Sequence, residues 1–224
     1  MPDASYNAMA MTMTRASVRF VKSWILLCCL FAFPMLCLAG KDFVMPKPQP
    51  AKSYPAHDDH STEQVSVGLD PYDSAEKATI FSVHYSELGI LPIFVVVTND
   101  GDQPVALTGM NVEMVTPEHT KLLPMSADDI YRRISRPHAH TTTYPLPFPT
   151  KKAGGGVSAK AQEEIQNARF DARAVEPHGT QAGFVFVDVS DMSNPTVGSH
   201  VYFTGIHDAK GNEMMYFDVP LGKN

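Results

Sequence analysis

The chain predicts a mainly β fold, an Ig-like antiparallel β-sandwich with a partly disordered two-helix insertion. Beyond residue 64 the apolar segments are short and alternating, and clusters of Gly, Pro and Asn separate them. No strand–helix–strand alternation runs along the chain, which argues against a parallel sheet. Both helical patterns fall together, between residues 117 and 170, as an insertion or long crossover between two halves of a β structure.

Taken in order, QVSVGL from Gln64 alternates as a half-buried strand does. In DPYDSAEKATIFSVHY, Asp73 suits a cap for a short helix through Ala78, while Ile80, Ser82 and His84 suit a strand; a turn followed by a strand at 79–85 is the favoured reading. ILPIFVVVT, Ile90 to Thr98, is β-branched and apolar on both faces, as a central strand should be. Pro92 lacks a donor, so the regular part is expected just after it. Asn99-Asp-Gly-Asp102 then signals a hairpin, with Val105 to Leu107 as the return strand. NVEMVT, from Asn111, continues the β pattern.

Ser126 and Asp129 form a capping box opening DDIYRRIS, a helix that must end before Pro137. Residues 137–157, with four prolines and Gly154 to Gly156, are expected to be mobile, and SAKAQEEIQNA reads as a second helix. Arg173 to Val175 leads into a turn at Glu176-Pro-His-Gly179, GFVFVDV is a strand, and Val201–Ile206 with Met214–Val219 form a closing hairpin around Asp208 to Asn212.

The N-terminal part reads differently. Arg15, Arg19 and Lys22 precede the apolar run Trp24 to Ala39, which contains all three cysteines, Cys28, Cys29 and Cys37. Basic, then apolar, then small is the order of an export signal, and the run is short of the roughly 20 residues a membrane span needs. Residues 1–39 are therefore expected to be a signal peptide, with Cys37 and Ala39 at the −3 and −1 positions, and Met9, Met11 or Met13 as possible starts. An uncleaved N-terminal membrane anchor is the alternative. Leu27 and Leu36 precede Cys28 and Cys37, and lipoprotein processing wants a small residue there. Residues 40–63, with Pro46, Pro48, Pro50 and Pro55, read as a Pro-rich tether to a domain at 64–224.

Composition narrows the function. The net charge is −6 with no basic stripe, so no nucleic-acid partner is expected. Cleavage would leave no thiol, no disulfide and no cysteine metal site. Histidine becomes the main soft ligand, and His57, His60, His138 and His140 are the candidate metal residues. His138 and His140, two apart, share a face of an extended chain, whereas His57 and His60 need a turn to converge. Solvated histidines in loops explain them more simply, since a site needs rigid ligands. Met110 and Met114 with His119, and Met214 and Met215, permit a copper reading, but core packing accounts for methionine in strands.

Asp100-Gly-Asp102 and Asp208 with Asn212-Glu213 lack calcium-loop spacing. No nucleophile elbow surrounds Ser199, and Gly154 to Lys160 lacks phosphate-loop spacing. Asp128-Asp129 and Glu163-Glu164 fall on helix faces expected to be exposed. Tyr131-Arg132-Arg133 suits an interface, and a helix laid on a sheet through Ile130 and Ile134 explains it equally well.

The segments DPYDSAEKATIF, VTNDGDQPVAL, DDIYRR, AVEPHGTQAGFVFVDV and DAKGNEMMYFDVPL resemble a group of uncharacterised exported bacterial proteins with no assigned activity. The resemblance spans most of 64–221 and implies a shared fold and an extracytoplasmic setting, but no site residues. Together these readings lead to an exported, periplasmic or extracellular, non-enzymatic binding or accessory module of the cell envelope, with no cofactor. Its partner would be another envelope protein or a surface polymer, and it would meet the membrane only through its signal segment. A periplasmic His/Met copper or zinc binder is the alternative.

Overall fold

The computed structural model describes residues 42–136 and 156–222. They are mainly β, with antiparallel sheets and three helices. The strands are β1 Ala56–His60, β2 Val65–Pro71, β3 Ile90–Asn99, β4 Val105–Ala106, β5 Asn111–Val115, β6 Lys121–Leu122, β7 Ala174–Val175, β8 Gly179–Asp188, β9 His200–Thr204 and β10 Phe217–Pro220. The helices are α1 Ala75–Ala78, α2 Ala127–Ser135 and α3 Ala159–Ala168. One sheet runs β1-β2-β3-β8, a second runs β10-β9-β5-β6, and β4 pairs with β7.

Period-two alternation divides β3 between two cores. Leu91, Ile93, Val95 and Val97 face one way, with Val185 and Val187 of β8, and share a core with Met114, Val201, Phe203, Phe217 and Val219 of the second sheet. Ile90, Phe94 and Val96 face the other way, with Phe184 and Phe186, toward Ile130 of α2 and Ile165 and Ala168 of α3. All ten residues of β3 are buried, which is why the strand is apolar on both faces. Each such side chain contributes about 1.5–3 kcal/mol through burial.

The helix-side core is aromatic. Phe81 meets Phe184 edge-on at 5.0 Å and Tyr85 at 5.0 Å, while Tyr72 meets Phe184 at 4.9 Å. Edge-to-face pairs of this kind add about 0.5–1.5 kcal/mol each beyond area burial. Burial, and then the charge of Asp70, pushes the Tyr72 phenol up to about 12.

Local signals hold at both longer helices. The Ser126–Asp129 capping box is formed, and α2 ends at Ser135, with Arg136 as its cap. Ser158 caps α3. The closing hairpin also forms, with Phe217 opposite Phe203, and the turn at 176–179 closes through Gly179 N–H donating to the Glu176 carbonyl at 3.0 Å. The stretch 117–170 crosses from the second sheet to the first; it also contributes β6, which pairs with β5. The signal segment 1–39 and most of the expected mobile stretch, 137–155, lie outside the described residues.

Four expectations are corrected. The Pro-rich tether is part of the fold: β1 pairs with β2 from Ala56↔Leu69 to His60↔Val65, and Ala51 is fully buried, its N–H donating to Thr98 Oγ1 at 2.9 Å. Polar residues suit an edge strand, so AHDDH carries no alternating apolar signal. Residues 79–85 form no strand; α1, capped by Ser74, precedes them and a 3₁₀ turn, Tyr85–Leu88, closes them. Their apolar side chains enter the aromatic core from a loop.

The hairpin after Asn99 is absent as well. Asn99 Nδ2 donates to the carbonyls of Gln103, at 2.7 Å, and Val175, at 3.2 Å, and so sends the chain to β7 rather than back along β3. Finally, β3 includes Pro92, whose carbonyl accepts from Tyr72 N at 2.9 Å just past the last β2 pair, Pro71↔Ile93. A residue's N and C=O point the same way in an antiparallel ladder, so the missing donor falls where β2 has ended.

Gly68 is where the N-terminal segment crosses the first sheet: a Cβ there would lie 2.6 Å from the Ala51 carbonyl oxygen. Gly68→Ala is expected to cost about 1–3 kcal/mol in denaturant unfolding, the overpacking range. Gly156→Ala, where a Cβ meets nothing within 4 Å, serves as the control and should shift stability by less than about 0.5 kcal/mol.

Candidate functional site

The candidate histidines do not converge. His57 and His60 lie three apart on β1 and so point to opposite faces. His57 Nδ1 sits 2.6 Å from the Tyr54 carbonyl, which can only accept, so that nitrogen carries the proton. His60 stacks on Phe217 with ring centroids 3.9 Å apart, and its nitrogens approach Glu63 at 2.9 Å and Asp58 at 3.4 Å. His138 and His140 lie outside the described residues. Among the described residues no group of three or more His, Cys, Asp or Glu side chains is placed to hold a metal.

The His60 cluster is a seam between the two sheets. Asp58 Oδ2 accepts from the backbone N–H of Asp218 at 2.9 Å, and Glu63 Oε1 from that of Met215 at 3.4 Å. These carboxylates occupy one donor on the β10 edge and one just before it, which would otherwise stay open to another strand. The methionines divide between core and surface. Met114 is buried, Met110 and Met214 pack against the same core, and Met215 is exposed.

Other polar motifs are also internal. Asp208 accepts from the N–H groups of Lys210, at 2.8 Å, and Asn212, at 2.9 Å; the Asn212 contacts hold its carboxyl below the usual range. This is a turn lock. Arg133 of the Tyr131-Arg132-Arg133 cluster donates to the Leu88 carbonyl at 3.0 Å and Ser190 Oγ at 2.6 Å, and pairs with Asp188. Tyr131 Oη accepts from Gln166 at 3.1 Å, and Arg132 pairs with Asp129 at 2.7 Å. The cluster therefore fastens α2 to the end of β8 and to α3.

Glu164 corrects the expectation of an exposed carboxylate pair. It is 2 % exposed and accepts from the N–H groups of Ser82, at 2.5 Å, and Val83, at 3.3 Å. It secures the strandless loop 79–84. Its neighbour Tyr85 has its phenol pushed far up, by burial first and then by the Glu164 charge. The helical spacing Ala161, Glu164/Ile165, Ala168 already places this glutamate on the buried stripe.

Among the described residues two surface features remain to be considered. A shallow groove of about 670 Å³ runs beside β4 and β7, lined by Val105, Ala106, Ala174 and His207. It offers few polar groups, because His207 Nδ1 is 2.9 Å from the Gly205 carbonyl and Asp208 is already satisfied. The other is the outward face of the second sheet. The registers Glu113↔Tyr202 and Tyr202↔Asp218 set these three side chains in one row across β5, β9 and β10.

His200 joins them, with Nδ1 2.7 Å from Asp218 Oδ1, and Lys121 Nζ lies 2.7 Å from Glu113 Oε1. The rings of His200 and Tyr202 stack at 6.2 Å, and Tyr216 follows 6.0 Å from Tyr202. Burial, and then the neighbouring Asp218 carboxylate, raises the Tyr202 phenol. No protein-family model and no curated protein matches the chain. No relative therefore lends a residue role, and the candidate site stands on this geometry. The alternation in HVYFT carries the signal for it, since His200, Tyr202 and Thr204 must share the face opposite Val201 and Phe203.

Two substitutions test the structural assignments. Glu164→Ala leaves two N–H groups of the loop without an acceptor, for a cost of about 1–3 kcal/mol, and should speed amide exchange at Ser82 and Val83 selectively. At Asp188, burial raises the carboxyl, but the hydrogen bonds from Ser190 and Arg133 prevail and hold it below its usual range. A carboxyl lowered by folding stabilises above its unfolded pKa, and that stability is lost as pH falls through the folded value. Thermal midpoints should therefore fall less steeply for Asp188→Asn than for the unaltered protein between about pH 5 and pH 2.

Proposed function

We propose that the chain is an exported binding or accessory module of the cell envelope, an Ig-like β-sandwich whose work is done by surface contact rather than by catalysis. One observation carries this reading. Among the described residues the first sheet has both faces packed in cores, whereas the second sheet packs one face and leaves the other open, set with Tyr202, Tyr216, His200, Glu113 and Asp218. On that face the side chains of His200, Asp218 and Glu113 are 42 %, 38 % and 31 % exposed. Tyrosine is among the residues favoured at binding surfaces, because it offers a rigid apolar ring and a polar tip at low entropic cost.

The export half of the proposal rests on the basic–apolar–small order of residues 15–40 and on the absence of cysteine after Cys37. The resemblance to exported bacterial proteins supports the same setting. A domain held by apolar burial alone, without thiols, is indifferent to an oxidising compartment.

Expression of the full chain with a C-terminal tag in a bacterial host, followed by fractionation and N-terminal sequencing, tests this half. The expected outcome is protein outside the cytoplasm beginning at Gly40. Full-length chain recovered from the soluble cytoplasm would reject it.

A further inference from the structure

We propose that the open face of the second sheet binds an uncharged polysaccharide, an inference that rests on the binding role assigned above and names its ligand. The rings come first. His200, Tyr202 and Tyr216 follow one another with centroids 6.2 Å and 6.0 Å apart; the first two planes differ by 17°, and the Tyr216 ring is turned 57° from that of Tyr202. They form a short aromatic track on an open sheet. A pyranose ring has an apolar C–H face and a hydroxyl rim, so it lays its face on such rings while its rim needs donors and acceptors beside them.

The residues flanking the track meet that need. Glu113 and Asp218 stand on either side of Tyr202 in the same cross-strand row, and Lys121, at 69 % side-chain exposure, and His200 supply donors. The carboxylates select against an anionic ligand. Glu113 pairs with Lys121 at 2.7 Å, and Asp218 Oδ1 lies 2.7 Å from His200 Nδ1. An anionic polymer would face both carboxylates and have to draw Lys121 off its partner, whereas hydroxyl groups can bridge these side chains.

A protein partner fits less well. Protein interfaces centre on a desolvated apolar patch with a polar rim. Here the ring at the centre of the row, Tyr202, is flanked on both sides by carboxylates, and the exposed Met215 neighbours Tyr216 in sequence at the end of the track.

The test uses the purified full chain. Its depletion from solution by insoluble cellulose, chitin and granular starch is measured, with polygalacturonate as the anionic comparison. The expected result is depletion by at least one neutral polymer, insensitive to added salt. Tyr202→Ala and Tyr216→Ala should each weaken it roughly tenfold or more, with Tyr202→Phe close to the unaltered protein and all variants retaining their thermal midpoints within a few degrees. No depletion by any neutral polymer, or depletion indifferent to both tyrosines, overturns the inference. Capture of envelope proteins by the same set separates the two levels. Capture lost in Tyr202→Ala, with no polysaccharide bound, rejects the sugar ligand and keeps the binding role of the face. Indifference of every interaction to these tyrosines rejects both.

Discussion

β3 and β8 lie side by side from Ile90↔Asp188 to Asn99↔Gly179, and both sides of that ribbon are apolar through their middle. A two-faced apolar ribbon must be covered twice, and the arrangement of everything else follows from this. On one side the second sheet supplies Phe203, Phe217 and Met114. On the other, two helices, the N-terminal segment and the 79–88 loop together supply Ile130, Ile165, Ala51, Phe81 and Tyr85. Burial on this scale is the dominant favourable term in folding. It also explains why so many non-strand segments are recruited: no single helix is wide enough to cover Phe94, Phe184 and Phe186.

That recruitment has steric requirements, and they are met by glycine. At Gly68 the N-terminal segment crosses the sheet too closely for a side chain, and at Gly183 a Cβ would come within 2.5 Å of Phe170 Cα, where the chain leaving α3 runs beside β8. Backbone contact of this kind carries hydrogen bonds as well: Phe170 N–H donates to the Phe184 carbonyl at 2.9 Å, and Met125 N–H to the Phe186 carbonyl at 2.7 Å. Both bonds lie along the outer edge of β8, which is therefore not free to pair with another chain.

Most polar motifs serve this construction. Glu164 holds a loop, Arg133 fastens a helix, Asn99 redirects the chain, and Asp58 and Glu63 close the seam between β1 and β10. A buried carboxylate satisfied by backbone N–H groups is costly to leave unmatched, so such groups specify one arrangement of the loop they hold. With these residues committed to structure, the outward face of the second sheet is the polar surface among the described residues on which the proposed binding role rests. Among the described residues the second sheet meets one neighbouring layer, on the side of Met114, Phe203 and Phe217.

Local chemistry was enough for several elements. The capping box at Ser126–Asp129, the doubly apolar β3, the turn before Gly179 and the closing hairpin all depend on residues close in sequence, where propensity and alternation act directly. Tertiary structure decided the rest. β1 is polar and gains its place only by pairing with β2; residues 79–85 alternate like a strand, yet the N–H groups of Ser82 and Val83 go to a glutamate 82 and 81 positions away; and Asn99-Asp-Gly-Asp102 reads as a hairpin until the carbonyls of Gln103 and Val175 capture Asn99. The outward face of the second sheet belongs to this second group. His200, Tyr202 and Tyr216 alternate legibly, but only the pairing of three strands sets Glu113 and Asp218 on either side of Tyr202. The physical reason is the same throughout: the energy of these contacts lies between segments distant in the chain, and it outweighs the fraction of a kcal/mol by which local propensity prefers one conformation over another.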